Sequence, residues 1–363
     1  MADTRVLPVS SIKYGLKAET GSAFGVAIDS DGSDGTAYLT QPVVQAQKPT
    51  FNISRESRLL SGRGSVKNSA DTIVNTRGGT VTMPFEMVAT PRTLAQHALL
   101  VGQENTQTGS ILHQMKINGS ANLDSMGGAI TNGKPHSCNL AYYPATGEGI
   151  KVTGVVVSDM TITGDVGANN GLVSISGNYF SGFSNPVSTA TALEQTFSGT
   201  WVEPQSTYFN VLDFQSRTLD VEGNNNQVFI MKSFTFNIAN GVNRVGFDAN
   251  GNAEAYVFPE YAVTGSLVIK YDDEFDYGAD NNVIQDFLSG NTMTLNLVCG
   301  SGNDAAGEME ITAEVQYTGD PGQDLSESGV FHTLEFECVN PSTGFASPAF
   351  KLETFENSAI TTW

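Results

Sequence analysis

Met309-Glu310-Ile311-Thr312-Ala313-Glu314-Val315-Gln316-Tyr317 carries an apolar residue at every second position. Period-two alternation sets one face of an extended strand against a core and leaves the other wet. The stretch reads as a half-buried strand, and the same texture recurs on either side of it. Thr80-Val81-Thr82-Met83-Pro84-Phe85-Glu86-Met87-Val88, Ile150 to Val157 and Leu172 to Ser176 are alternating, β-branched or aromatic runs bounded by Gly, Asn, Asp and Pro. Most of the chain therefore reads as β.

Two short segments carry helical signals instead. From Pro91 to Val101, Thr90 is the expected N-cap, Pro91 takes the first helical position and Gly102 follows the last turn. Leu94, Ala95, Ala98 and Leu99 make its apolar face, and His97 reads as an ordinary polar-face residue. From Asn281 to Ser289, capped by Asp280 and stopped by Gly290, Val283, Ile284, Phe287 and Leu288 repeat that face 189 residues later.

The coincidence extends to a series of matches in the same order, the signature of an internal duplication. Phe51-Asn52-Ile53 matches Phe236-Asn237-Ile238, Thr163-Gly164-Asp165-Val166-Gly167 matches Thr318-Gly319-Asp320-Pro321-Gly322, and Asn185-Pro186 matches Asn340-Pro341. The offset falls from 189 to 155 after the first helix, which implies an insertion of 34 residues there. Gln103 to Pro135, rich in Asn, Gly, Ser and Gln, has the composition of a surface excursion. The expected organisation is an N-terminal arm with first strands over 1–47, a first β domain over 48–200 with a loop insertion at about 103–135, and a second over 201–363. The length of 363 residues agrees with a soft expectation of about two domains.

Charge separates the halves. The formal net charge is −20. Residues 1–200 hold 13 Lys+Arg against 14 Asp+Glu, whereas residues 201–363 hold 5 against 24. Against that trend, residues 48–77 gather Lys48, Arg55, Arg58, Arg63, Lys67 and Arg77 with only Glu56 and Asp71. A net charge of this sign excludes nucleic-acid binding through a basic footprint. No apolar run approaches the ~18 residues of a membrane span, and Met1 to Arg5 has no hydrophobic signal region. The three cysteines (Cys138, Cys299, Cys338) are widely spaced and form no CxxC, which points to buried small hydrophobes rather than a disulfide framework or zinc site.

Catalytic constellations are hard to assemble. Gly128 to Lys134 has phosphate-loop spacing, but Pro135 stands where Ser or Thr should bind magnesium, and no helix follows. His97, His113, His136 and His332 form no metal-ligand pair. Asp29 to Gly35 and Asp248 to Asn252 look like fragments of calcium loops, yet turn chemistry explains both. The acidic run Asp272-Asp273-Glu274 with Asp276 reads as a solvated loop whose charge favours the helix after it. No GxSxG elbow occurs. Catalytic, cofactor-binding and metal residues are all expected to be none, and the chain is not expected to be an enzyme.

A duplicated, acidic β protein with one short helix per copy resembles the major tail tube proteins of long-tailed, siphovirus-like bacteriophages, in their fused two-domain form. The resemblance is carried by Phe51 to Arg58, Thr80 to Gly102, Gly154 to Gly182 and the second copy from Phe236 to Pro341, within residues 48–345. It implies two tandem β-sandwich or barrel domains, each flanked by a helix. It further implies a homotrimeric ring of pseudo-sixfold symmetry, stacked into the tail of the virion after assembly in the host cytoplasm. Its partners would be further copies of itself, a tape-measure protein and tail-tip or terminator proteins. DNA would pass during ejection without specific binding, and no membrane is involved.

On this reading the basic stretch 48–77 meets an acidic second copy and sets the alternation around the ring. Glu310, Glu314, Glu335 and Glu337, alternating on strands, are the candidates for an acidic channel wall; their ordinary reading is as wet-face residues of a sandwich. The first 47 residues and the Gly-rich insertion would be arms ordered on assembly. Two further readings stay open: another virion β-protein of the head-decoration or baseplate kind, and a two-domain adhesin or carbohydrate-binding module. In the latter Trp201, Tyr208, Tyr142 or Tyr143 would form a sugar platform.

Overall fold

The computed structural model describes residues 13–19, 38–42, 50–52, 56–59, 72–75, 80–101, 104–108, 112–117, 137–143, 150–183, 201–202, 207–221, 224–248, 252–257, 261–270, 283–302, 305–320, 322–324, 330–339 and 349–355. The protein is mainly β, with two α-helices among the described residues. Its first half runs β1 (Lys13–Ala18), β2 (Tyr38–Thr40), β3 (Thr50–Asn52), β4 (Glu56–Leu59), β5 (Thr72–Asn75), β6 (Thr80–Val88), α1 (Pro91–Leu100), β7 (Glu104–Thr108) and β8 (Leu112–Ile117). It continues through β9 (Cys138–Tyr143), β10 (Ile150–Asp165), β11 (Ser174–Ser181) and β12 (Trp201–Val202). The second half runs β13 (Phe214–Val221), β14 (Asn224–Val228), β15 (Met231–Ala239), β16 (Asn243–Val245), β17 (Ala255–Val257) and β18 (Ala262–Lys270). It ends with α2 (Val283–Ser289), β19 (Met293–Cys299), β20 (Met309–Tyr317), β21 (Gly322–Asp324), β22 (Phe331–Cys338) and β23 (Phe350–Phe355).

The strand pairings follow one scheme twice. In the first half β6 lies between β3 and β11, and β11 pairs in turn with β10; in the second, β18 lies between β15 and β22, and β22 pairs with β20. The other layer is β2–β1–β9–β10 in the first half and β14–β13–β19–β20 in the second. Within the Phe-Asn-Ile match, Phe51 stands opposite Val81 on β6 as Phe236 stands opposite Gly265 on β18, and Ile53 lies outside the described residues. The Thr-Gly-Asp match does not hold in space. Thr163 and Gly164 sit inside β10, whereas Thr318 and Gly319 fall in the break between β20 and β21. A three-residue turn signature recurs too easily to fix equivalence where strand lengths differ.

β10 serves both layers because it turns a corner. Its first part pairs with β9 and its last part with β11, with an irregularity between Val152 and Val155. Gly154, at φ +60°, supplies the left-handed backbone there, and a side chain at this point would run into the Phe183 ring. Between the layers lies a single core that draws on both halves, from Leu16, Met83, Leu140 and Ile175 to Leu267, Leu295, Ile311 and Phe336. Phe236 is fully buried, with the rings of Phe336 and Phe350 at 5.6 and 5.3 Å. Truncating such a ring to Ala costs about 3–5 kcal/mol.

β1, within the 1–47 segment expected as an arm with first strands, lies between β2 and β9 with Tyr14 and Leu16 buried. Two other expectations need correction. The insertion expected as a surface excursion contains a hairpin, β7–β8, whose β8 pairs with β23 near the C-terminus. The reason is the open edge of β23, whose backbone groups need partners. His97 is not a polar-face residue. It is fully buried, with Nδ1 at 2.6 Å from the Thr93 carbonyl and Nε2 at 2.6 Å from the Tyr179 hydroxyl.

The helices themselves start and stop as their sequence dictates. Thr90 Oγ1 accepts from Thr93 N–H at 3.1 Å, and Thr93 Oγ1 accepts from Thr90 N–H at 2.9 Å, a reciprocal cap ahead of Pro91. At the other end of α1 the Val101 carbonyl accepts from Asn240 Nδ2 at 2.9 Å and from the Tyr261 hydroxyl at 3.2 Å, so second-half residues satisfy it. α2 ends at Gly290, φ +62°, with Asn291 N–H donating to the Asp286 carbonyl and Gly290 N–H to that of Phe287.

Burial lowers the pKa of His97 to about 4, while its bond to the Thr93 carbonyl works the other way. The unfolded chain protonates this group near 6.5 and the folded one does not, so stability falls as pH drops from about 6.5 to about 4, by about 3 kcal/mol in all. His97→Gln should be less stable at pH 7 but should lose that slope. Thermal melts of both proteins at pH 7 and 4.5 check it.

Candidate functional site

The extended feature of the molecule is the wet face of the sheet formed by β6, β11, the last part of β10, β15, β18 and β22. Alternation builds it. Met160 and Ile162, Phe234, Phe236 and Ile238, Leu267 and Ile269, and Leu334 and Phe336 turn into the core, which leaves their neighbours on the opposite side. Those neighbours are mostly short and polar: Thr161 and Thr163, Thr235 and Asn237, Thr264 and Ser266, and Thr333. The β10–β15 pairing, Asp159–Asp165 against Ser233–Ala239, carries the face from one half into the other without a break.

The hydroxyls and amides hold one another across the strands. Thr161 Oγ1 donates to Asn237 Oδ1 at 2.9 Å, and the hydroxyls of Thr163 and Thr235 are 3.2 Å apart. Asn178 Nδ2 donates to the Asp159 carboxylate at 3.0 Å. Such cross-strand pairs each contribute roughly 0.2–1 kcal/mol, and they pin short side chains flat on the sheet.

Two of the four acidic candidates, Glu335 and Glu337 on β22, lie on this face. Glu310 and Glu314 do not share it: they stand on the part of β20 that pairs with β19 and β23, and β20 meets β22 only at Val315–Tyr317. Glu335 and Glu337 are exposed; Glu310 and Glu314 are half-buried. Glu314 accepts from Thr294 Oγ1 at 3.2 Å. Burial raises its pKa, the Thr294 hydrogen bond opposes that shift, and the charge of Asp220 adds to it. Glu310 stands opposite Glu353 on β23, which is itself buried and ion-paired to Lys351 at 2.7 Å.

The face also holds acidic residues that the sequence reading passed over: Glu86 on β6, and Asp159 and Asp165 on β10. The signal was present in the alternation Asp159-Met160-Thr161-Ile162-Thr163. Set against these carboxylates are Lys270 and Lys232, the latter over the Phe331 ring at 5.1 Å, both at one end of the face. Of the basic candidates, Arg58 lies on β4, which pairs with β5. Lys48, Arg55, Arg63, Lys67 and Arg77 lie outside the described residues, as do the phosphate-loop-like segment and the first calcium-loop-like segment.

The second calcium-loop-like segment is held by turn chemistry, with Asp248 Oδ1 accepting from Asn252 N–H at 2.8 Å. No group of three or more His, Cys, Asp or Glu side chains that could hold a metal occurs among the described residues. Cys138 and Cys299 are buried and Cys338 is half-buried; burial pushes the thiols of Cys299 and Cys338 up to about 12, which keeps them protonated. Of the aromatics considered for a sugar platform, Tyr208 is exposed and Tyr142 packs half-buried against the core.

A sheet with one face committed to core and the other to a continuous, hydroxyl-rich, carboxylate-bearing wall defines a mainly β protein. The family comparison gives the particular: residues 10–338 match the family described as phage tail tube protein, and the chain belongs to that family. It is a family of structural proteins that self-assemble into the tube of a virion tail, and not one of enzymes. A search of curated proteins finds no match.

Because Glu314 has a raised pKa when folded, its ionisation works against the folded state as pH rises through the carboxylate range. Glu314→Gln, which keeps an acceptor for Thr294, should raise Tm at pH 7. The gain should vanish by pH 3.5, as calorimetry at the two pH values would show.

Proposed function

We propose that this tail tube subunit forms closed rings in which each chain supplies two equivalent β units, so that three chains make a ring of pseudo-sixfold symmetry. The rings stack into a tube with the wet face of the β6–β22 sheet turned to the channel. The observation that carries this reading is the β10–β15 pairing, which makes one uninterrupted polar face out of two similarly paired halves. The units correspond to the stretches 48–200 and 201–363, with β1 and β2 completing the first.

A wall of this kind suits DNA in transit. Carboxylates repel phosphates, and the short hydrogen-bonded side chains beneath them offer neither cationic anchors nor aromatic platforms for bases, the reverse of a binding footprint. Glu335 and Glu337, with Asp159 and Asp165, line the channel, whereas Glu310 and Glu314 belong to the opposite layer. Lys48, Arg55, Arg58, Arg63, Lys67 and Arg77 face the acidic half of a neighbouring copy and favour first-to-second contacts over like-to-like ones. A tape-measure protein occupies the channel before DNA does, and tip and terminator proteins close the tube ends. Assembly takes place in the host cytoplasm.

Negative-stain electron microscopy of the concentrated protein should show hollow rings or tubes of threefold or sixfold symmetry. To place the face, Glu335→Cys is biotinylated through maleimide before assembly. Streptavidin should bind it in monomers and fail to reach it in tubes. Free access in intact tubes would put this face outside and refute the channel assignment.

A further inference from the structure

Two strands of the long sheet have one side without a partner among the described residues: β3 pairs with β6 alone, and β21 with β22 alone. Each has a counterpart inside the molecule that is paired on both sides. Phe51–Val81–Ser181 and Phe236–Gly265–Phe336 are equivalent rows across β3–β6–β11 and β15–β18–β22, so β3 corresponds to β15 and Asn52 to Asn237. Three residues before the ends of those rows stand Asn178 and Thr333. Asn178 pairs with Asp159 on β10 and Thr333 with Gly322 on β21, so β21 corresponds to the last part of β10, and Asp324 to Thr161. The counterparts, β15 and β10, are hydrogen-bonded to each other, with Thr161 opposite Asn237.

The molecule thus contains, between its own halves, a template for the contact that the β3 and β21 edges, unpaired among the described residues, can make. We infer that a second copy of this chain adds its β3 edge antiparallel to the β21 edge of the first, in the register that sets Asn52 opposite Asp324. The inference rests on the ring reading above and gives that ring its seam. Charge favours the same pairing of ends. Residues 48–58 carry Lys48, Arg55 and Arg58 with one Glu56, whereas residues 318–327 carry Asp320, Asp324 and Glu327 and no Lys or Arg. Opposite charge at the two edges steers them together and disfavours β3 with β3 or β21 with β21. Pairing also satisfies backbone groups that an open edge leaves to water.

Register makes the inference sharp, because a one-residue slip turns every side chain to the other face. Chains carrying both Asn52→Cys and Asp324→Cys, assembled and then oxidised, should give a ladder of covalent multimers on non-reducing gels, since opposed residues in an antiparallel pair lie within disulfide reach. Asn52→Cys with Gln323→Cys should not. In the unsubstituted protein, amide hydrogens of Thr50–Asn52 and Gly322–Asp324 should gain protection from exchange on assembly, a readout independent of whether the cysteine variants fold. Rings or tubes that form without the Asn52–Asp324 link and without that protection would overturn the seam while leaving the ring reading intact. A chain that stays monomeric at every concentration would overturn both.

Discussion

The backbone pairing of Asp159–Asp165 with Ser233–Ala239 is the constraint on which the rest of the molecule depends. It is an antiparallel contact between strands far apart in sequence, so its loop-closure cost is repaid only if both strands also bury their inward faces. Met160 and Ile162 on one side and Phe234, Phe236 and Ile238 on the other meet that condition. Once the register is fixed, the hydroxyls of Thr161, Thr163 and Thr235 and the Asn237 amide all emerge on one side. Asn240, one residue past β15, then reaches the end of α1. The position of the first helix is in this way tied to a strand of the second half.

The polar face reflects a balance between spacing and repulsion. Its carboxylates are separated by Thr, Ser and Asn, whose mutual hydrogen bonds need no charge and are not weakened by salt. In the other layer, where Glu310 and Glu353 come opposite one another, Lys351 lies beside them, and Glu314 accepts a hydrogen bond from Thr294. The face can be strongly acidic in sum without any single pair of adjacent charges dominating its energy.

What the sequence made legible was whatever depends on neighbours along the chain. The alternation in Met309–Tyr317 specified a strand and its two faces, and Thr90, Pro91 and Gly290 marked helix ends through local chemistry. The same alternation put Glu310 and Glu314 on one side of β20. Contacts between distant segments were not legible. His97 has the spacing of a surface residue, and its second ring nitrogen is satisfied by the Tyr179 hydroxyl, from a strand beyond the insertion, while the first bonds the Thr93 carbonyl within the helix. The pairing of β8 with β23 joins the middle of the chain to its end, and composition gives no sign of it. Glu86, Asp159 and Asp165 were individually readable as wet-face residues; that they share a wall with Glu335 and Glu337 follows only from register across the sheet.

The hairpin β16–β17 leaves the second half and packs on the corner of β10, where the Tyr256 hydroxyl donates to the Gly154 carbonyl at 2.6 Å and accepts from Gly182 N–H at 2.7 Å. Around it, Val156, Phe183, Val242 and Ala253 form a small apolar cluster of mixed origin. The halves are therefore fastened at several separated places, among them the strand seam, the β8–β23 pairing, the end of the helix and this phenol. Melting either half would strip contacts that the other half uses, so the shared seam couples the two in unfolding and under force, unlike two beads on a string.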